Sequence, residues 1–154
     1  MKVSLMLACA VLAGLLVAAS AQSEARTDPP QQSPPLAHAY RGAFVCEKLP
    51  ASADILHVPA DLVIRGDQVQ FGRPMLNPRG TRVVGSELGF GSVDARGAVR
   101  IASNWSFNGI GVRGAYEGTL TPGGGTLAGT QTWQRRDGPP RSRTCQIALV
   151  PAGT

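Results

Sequence analysis

The most regular alternation of apolar and polar positions lies between Ile110 and Gln134. Residues 110–121 and residues 126–134 each repeat with a period of two, as a strand with one buried face requires. Pro122 to Gly125 separates the two runs, because proline fixes φ and glycine permits positive φ. The segment therefore predicts a β-hairpin with a row of threonines on its exposed face.

Shorter alternating runs follow one another through the rest of the chain, from His38 to Pro151. Turn sequences separate these runs, and Asn108-Gly109 is the strongest hairpin signal among them. Helical periodicity is nearly absent, and the turns recur at the spacing of short strands, so the chain predicts an all-β fold. We expect an antiparallel meander of seven or eight strands that forms a closed or nearly closed barrel.

Three segments fit this pattern less well. Residues 51–56 are compatible with a helical turn that Pro59 limits. Residues 72–81 contain several prolines and glycines and are predicted to form a loop. Residues 83–93 are predicted to form a glycine-rich strand with bends or bulges. The side chains of this strand that we expect to face inwards are Val84, Leu88 and Phe90.

The N-terminus has the features of an export signal in residues 1–21. Lys2 gives a positive start, Val3 to Ala18 is apolar, and Ala19-Ser20-Ala21 offers small residues for cleavage. Residues 22–37 contain four prolines and no apolar period, which predicts a disordered or polyproline-like leader before a folded domain at 38–151. We expect a periplasmic or secreted protein with no transmembrane segment. Cys9 leaves open a lipoprotein, in which this cysteine would be acylated.

Two cysteines, Cys46 and Cys145, remain after removal of the signal. An even number in an oxidising compartment predicts one disulfide. Neither cysteine has a second cysteine or a histidine at the spacing of metal ligands, which disfavours a metal pair. Because a disulfide requires Cα atoms within about 7 Å, joining the first and last strands favours a closed barrel over an open sheet.

The overall charge is mildly positive, with 15 basic and 10 acidic residues. This excess is too small to indicate a nucleic-acid partner. The basic residues comprise 13 arginines and 2 lysines, a usage typical of a GC-rich bacterial genome. We expect a monomer whose partner is an unknown protein or small-molecule ligand.

Several strands repeat a pattern of glycines and aromatic residues, namely Tyr40-x-Gly42-x-Phe44, Gly114-x-Tyr116-x-Gly118 and Leu127-x-Gly129-Thr130-x-x-Trp133. This pattern resembles that of the small meander barrels called calycins, which include avidins, lipocalins and bacterial periplasmic metalloprotease inhibitors. The likeness is architectural and covers the meander from Tyr40 to Leu149. For the inhibitors, the resemblance implies an eight-stranded barrel with one disulfide, whose N-terminal segment enters a protease cleft.

Five residues with inward phase form a candidate ligand site. An apolar wall with a few polar groups is what a ligand cavity needs. The alternative is that these side chains fill the barrel and that Ser103 and Gln131 satisfy the polar atoms of the aromatic residues. The five residues are Ser103, Trp105, Tyr116, Gln131 and Trp133.

Four arginines surround the predicted loop Asp137 to Pro140, and Arg41 would join them if the chain ends meet. Such a cluster suits a phosphate, a carboxylate or an acidic partner. A solvated, positively charged hairpin tip is the alternative. The four arginines are Arg135, Arg136, Arg141 and Arg143.

The pattern of ionisable residues argues against an enzyme. His38 and His57 have no partner at a useful spacing. Glu87, Asp94 and Glu117 would form a carboxylate pair only if the fold brought them together. We therefore expect no cofactor, no metal and no catalytic residues, and predict a binding module of the protease-inhibitor kind. The alternatives are a carrier of a small apolar or aromatic ligand and an envelope-associated structural factor.

Overall fold

The computed structural model describes residues 35–48, 56–77, 79–107 and 109–153. Eight antiparallel strands in sequential order form a closed barrel, which confirms the predicted fold. No helix in these ranges is long and apolar enough to cross a membrane. The predicted export signal and most of the predicted leader lie outside the described residues. The strands are β1 (Ala39–Cys46), β2 (Leu56–Arg65), β3 (Gln68–Leu76), β4 (Val83–Val93), β5 (Ala98–Phe107), β6 (Ile110–Thr121), β7 (Gly124–Arg135) and β8 (Arg141–Pro151).

The hairpin predicted from residues 110–134 is present as β6 and β7. Strand β7 begins earlier than the alternating pattern, because Gly124 pairs with Thr121 and Gly125 pairs with Leu120. Gly124 adopts a positive φ of 121°, which glycine tolerates better than other residues. The turn is therefore only Pro122 and Gly123.

Strands β1 and β8 close the barrel, and a disulfide joins them. Cys46 and Cys145 face each other in the register of the two strands, with their Cα atoms 4.0 Å apart. Both cysteines are 1% exposed. The predicted disulfide and the predicted closure are therefore confirmed together.

The apolar core of the barrel extends from Tyr40, near the start of β1, to Cys46 and Val58 near the other end of that strand. The end where β1 begins is called the leader end. Leu36 and Ala37, from the predicted leader, pack against this core. The Ala37 N–H donates to the Tyr40 hydroxyl at 3.0 Å, and that hydroxyl donates to the Thr121 carbonyl at 2.9 Å. The opposite end, where β1 ends at Cys46, is called the loop end.

The loop predicted for residues 72–81 is wrong in its first half. Strand β3 continues through Pro74 to Leu76, paired with β4 as far as Val83. Strands β2 and β3 pair only up to Asp61 and Gly72, so Pro74 has no partner on the β2 side and tolerates the loss of its N–H there. Of the predicted helical turn, Leu56 lies in β2, and residues 51–55 lie outside the described residues.

The predicted facing of β4 is also wrong. Leu88 is 48% exposed and Phe90 is 61% exposed, whereas Glu87 is fully buried. Glu87 pairs with Arg73 of β3, and Gly89 pairs with Ser103 of β5, so these two positions face the interior. A shift of one position exchanges the two faces of a strand, which places Leu88 and Phe90 on the outer face. Val84 is half-buried, and Val93 at the end of β4 lies in the core.

Candidate functional site

Six polar residues meet inside the barrel, in the half nearer the loop end. Each comes from a different one of the six consecutive strands β3 to β8. Four of the six are buried hydrophilic side chains at 0–6% exposure, Tyr116 is 2% exposed, and Arg143 is half-buried. We call this group the polar cluster, and it consists of Arg73, Glu87, Ser103, Tyr116, Gln131 and Arg143.

The carboxylate of Glu87 is the centre of the polar cluster. Its Oε1 accepts hydrogen bonds from the Ser103 hydroxyl and, at 3.1 Å, from the Tyr116 hydroxyl. Its Oε2 accepts from Nε2 of Gln131 at 3.0 Å and forms an ion pair with Nη2 of Arg73. Four donors thus surround the two oxygens, which is close to the capacity of a carboxylate.

Arg73 lies beside Glu87 and is 5% exposed. Its Nη1 donates to the Pro74 carbonyl at 3.2 Å, and its guanidinium lies 4.2 Å from the centre of the Phe44 ring. The Nε–H of Arg73 is buried and has no hydrogen-bond partner among the described residues. Buried donors in folded proteins are almost always paired, so this orphan group is unusual.

Arg143 is held by Gln131 rather than by a carboxylate. Its Nε and Nη2 donate to Oε1 of Gln131 at 3.0 and 2.5 Å, and its guanidinium lies 5.6 Å from the centre of the Trp133 ring. Its burial and the nearby positive charge of Arg73 lower the pKa of the Arg143 guanidinium to about 10. Within the described residues, the carboxylate of Glu87 is shared with Arg73 and not with Arg143.

Tyr116 serves as a hydrogen-bond donor to Glu87. Burial, and then the negative charge of Glu87, raise the pKa of the Tyr116 phenol well above its usual range. The phenol is therefore protonated at neutral pH. It comes from the inward position next to Gly114 on β6, and the missing side chain of Gly114 leaves the space that the Tyr116 hydroxyl occupies.

We expect Gly114→Ala to disturb the polar cluster. A Cβ at this position would overlap the Tyr116 hydroxyl and the Ser103 hydroxyl, both of which bind Glu87. Overpacking of this kind lowers the free energy of unfolding by about 1–3 kcal/mol, which urea denaturation would measure. Gly111→Ala is the matched control on the same strand, because a Cβ there has no neighbour within 4 Å. Equal stability of the two variants would contradict the expectation.

The two tryptophans lie one inward position nearer the loop end. In the register of the sheet, Trp105 of β5 and Trp133 of β7 flank Val112 of β6, and both rings are half-buried. The Nε1–H of Trp105 is buried without a partner among the described residues. The indole groups therefore border the polar cluster but do not use Ser103 or Gln131 as partners, since those two side chains bind Glu87.

The polar cluster thus combines five buried residues and the half-buried Arg143, on six strands. The chain matches no family model, no curated protein and no solved structure. The chemistry of the site is therefore interpreted from its own residues.

The predicted candidate ligand residues converge in space, and three further residues, Arg73, Glu87 and Arg143, join them. Ser103, Tyr116 and Gln131 meet around Glu87, which the sequence had offered only as a possible member of a carboxylate pair. Arg73 was not predicted as part of the site. The signal for Arg73 is its alternation with Val69 and Phe71, which continues along β3 once that strand is extended to Leu76.

The four arginines of the predicted cluster do not share one surface, because three are exposed outside the barrel and one lies inside it. Arg135, Arg136 and Arg141 are exposed at the loop end, whereas Arg143 enters the polar cluster. Arg41 pairs with Val150 and lies near the leader end, so it does not join them. Arg135 and Arg136 instead line an outer groove of about 500 Å³ with Arg113.

The other ionisable residues with predicted roles lie outside the barrel. Asp94 and Glu117 are exposed beside Arg96 and Arg100, with N···O distances of 3.8 and 4.0 Å, so neither forms a carboxylate pair with Glu87. Two backbone N–H groups, from Ala98 and Arg96, lower the pKa of Asp94. The described residues contain no group of three or more His, Cys, Asp or Glu side chains arranged to hold a metal ion.

Proposed function

We propose that the protein binds a small organic ligand at the loop end of its barrel, as an exported carrier rather than an enzyme. The observation that carries this proposal is a pair of buried N–H groups, Nε1 of Trp105 and Nε of Arg73, that have no hydrogen-bond partner within the part of the chain that the structure describes. A buried donor without a partner costs about 1–3 kcal/mol. A ligand oxygen that accepted a hydrogen bond from Trp105 would remove part of this cost.

The pairing of the strands supports access to this region. The pairing of β4 with β5 begins at Gly89, opposite Ser103, and continues from there to the leader end. The pairing of β3 with β2 likewise covers only the residues between Gly72, opposite Asp61, and the leader end. Among the described residues, the part of the β3–β4 hairpin nearer the loop end is therefore not paired with β2 or β5, which favours this region for the entry of a ligand.

The side chains around this region suit an aromatic or apolar ligand with a polar group. The half-buried rings of Trp105 and Trp133 provide apolar surface, and indole rings favour stacked or edge contacts with other aromatic groups. Gln131 and Arg143 supply polar groups that are already oriented by hydrogen bonds. Ligand sites typically combine apolar walls with a few fixed polar groups.

We expect 2-naphthamide, a neutral aromatic amide with a carbonyl acceptor, to bind saturably to the purified oxidised protein in isothermal titration calorimetry. Trp105→Phe keeps an aromatic ring but removes the orphan N–H, so the affinity should fall about tenfold, the effect of losing one hydrogen bond of about 1.4 kcal/mol. Gln134→Leu is a control, since the Gln134 side chain is exposed on β7. Absence of saturable binding by aromatic amides, ketones and carboxylates alike to a folded sample would contradict the proposal.

A second proposed function is a protease-inhibitor-like role for the leader end, as in the inhibitors among the calycins. Leu36 packs against the core, and the hydrogen bond from Ala37 to Tyr40 anchors the chain where it enters the barrel. A depression of about 830 Å³ lies beside this segment, lined by the turns around Asp67, Arg96 and Pro122. Inhibition of a panel of proteases that is lost on removal of residues 22–34, but retained in Trp105→Phe, would separate this role from ligand binding.

A further inference from the structure

We propose that the polar group of the ligand is a carboxylate and that Arg143 receives it. This inference rests on the proposed ligand-binding function and makes it more specific. It assigns an organic monoanion with an aromatic or apolar body to the loop end of the barrel. Arg143 would bind the carboxylate, and Trp133 would contact the body of the ligand.

The first argument is the balance of charge in the polar cluster. Two guanidinium groups, those of Arg73 and Arg143, face one carboxylate, that of Glu87. Arg73 forms the ion pair with Glu87. One positive charge is therefore left without an opposite charge among the described residues of the cluster, and a monoanion would balance it. A phosphate monoester carries more negative charge than this excess.

The second argument is that Glu87 has no capacity left for Arg143. Its two oxygens already take hydrogen bonds or an ion pair from four side chains. Among these donors is Nε2 of Gln131, which leaves Oε1 of Gln131 turned towards Arg143. Arg143 is thus held through Nε and Nη2 by a neutral amide oxygen and has no charge-assisted bond to a carboxylate within the described residues of the cluster, which a ligand carboxylate beside it would supply.

The third argument is that Arg143 is both oriented and accessible. Gln131 holds Nε and Nη2, and the Trp133 ring lies beside the guanidinium plane, so few rotamers remain to be lost on binding. Arg143 is half-buried, whereas Arg73 is 5% exposed. Arg143 is therefore the guanidinium that an entering ligand reaches. Burial and the charge of Arg73 lower the pKa of Arg143, and the negative charge of Glu87 opposes this shift only in part.

The test compares 2-naphthoate with 2-naphthamide, which differ in charge but share the same ring system. In calorimetric titrations of the purified oxidised protein, we expect 2-naphthoate to bind at least tenfold more tightly than 2-naphthamide. Arg143→Gln should abolish this preference by weakening naphthoate binding at least tenfold, with naphthamide binding changed less than threefold. Arg113→Gln removes the same charge from the exposed outer wall and should retain the preference.

Arg143→Lys provides a second variant in case Arg143→Gln fails to fold, as judged by circular dichroism. Lysine keeps the charge but cannot bind Gln131 and a carboxylate through one planar group, so the preference should fall several-fold and persist in part. Equal binding of the two probes, or an unchanged preference in both Arg143 variants, would overturn the inference and leave the proposed function standing. Absence of binding by both probes would overturn both.

Discussion

Glu87→Gln is expected to lower the free energy of unfolding by about 3–5 kcal/mol, the usual effect of removing one partner of a buried ion pair. Arg73 is 5% exposed and would lose its opposite charge where water cannot replace it. The new amide NH2 group would also face donors, since Nε2 of Gln131 and Nη2 of Arg73 both point at Oε2. Urea denaturation at neutral pH would measure the loss.

Two controls separate this effect from a general effect of charge. Glu117→Gln removes a carboxylate of an exposed pair with Arg100, at an N···O distance of 4.0 Å, and should change the free energy of unfolding by less than about 1 kcal/mol. The double variant Arg73→Met with Glu87→Leu removes both buried charges and should recover only the part of the loss that comes from the uncompensated charge of Arg73. The donors Ser103, Tyr116 and Gln131 still lose their acceptor in this variant. A loss below 1 kcal/mol in Glu87→Gln would contradict a central role for this carboxylate.

The sequence predicted the barrel well because its strongest signals are local. The β6–β7 hairpin follows from a period of two that is broken by Pro122 and Gly123. The predicted inward phase of Ser103, Tyr116 and Gln131 agrees with their burial, since a strand has only two faces and neighbouring apolar residues mark the inner one. Two cysteines in the first and last strands were enough to predict closure.

The centre of the site could not be predicted in the same way, because the alternation of apolar and polar residues assigns a charged residue to the outer face of a strand. In β4, Leu88 and Phe90 are the large apolar residues, and hydrophobicity alone places them inside. The real inner positions hold Glu87, which depends on Arg73 of the neighbouring strand, and Gly89, whose missing Cβ avoids the side chains of Ile101 and Phe71. Only the pairing of β3 with β4 identifies these partners.

The predicted end of β3 was wrong for a related reason. A proline argues against a strand only where its N–H would be needed. Pro74 lies beyond the last pair between β2 and β3, a fact that depends on where two strands separate. Arg73 lies on the same extension of β3, so the error in the strand boundary and the missed member of the site have one origin.

Replacing Cys46 and Cys145 together with alanine is expected to lower the free energy of unfolding by about 2–5 kcal/mol. The two cysteines are 99 residues apart in sequence, so the disulfide restricts nearly the whole barrel domain in the unfolded state. Chain-entropy arithmetic for a loop of this length gives about 4–5 kcal/mol, and the loss of two buried sulfur atoms adds to the effect. Urea denaturation under oxidising conditions would measure it.

A reducing agent provides the internal control for this prediction. Reduction should destabilise the wild-type protein by a similar amount and leave the double alanine variant unchanged, because only the former has a bond to break.

Since Cys145 follows Arg143 by two residues on β8, reduction also tests whether the closing pair of strands positions the site. If the disulfide holds β8 against β1 in the native state, the reduced protein should bind 2-naphthoate more weakly than the oxidised protein at a urea concentration where both remain folded. Equal unfolding midpoints with and without reductant would show that the pairing of β1 with β8 closes the barrel without help from the disulfide.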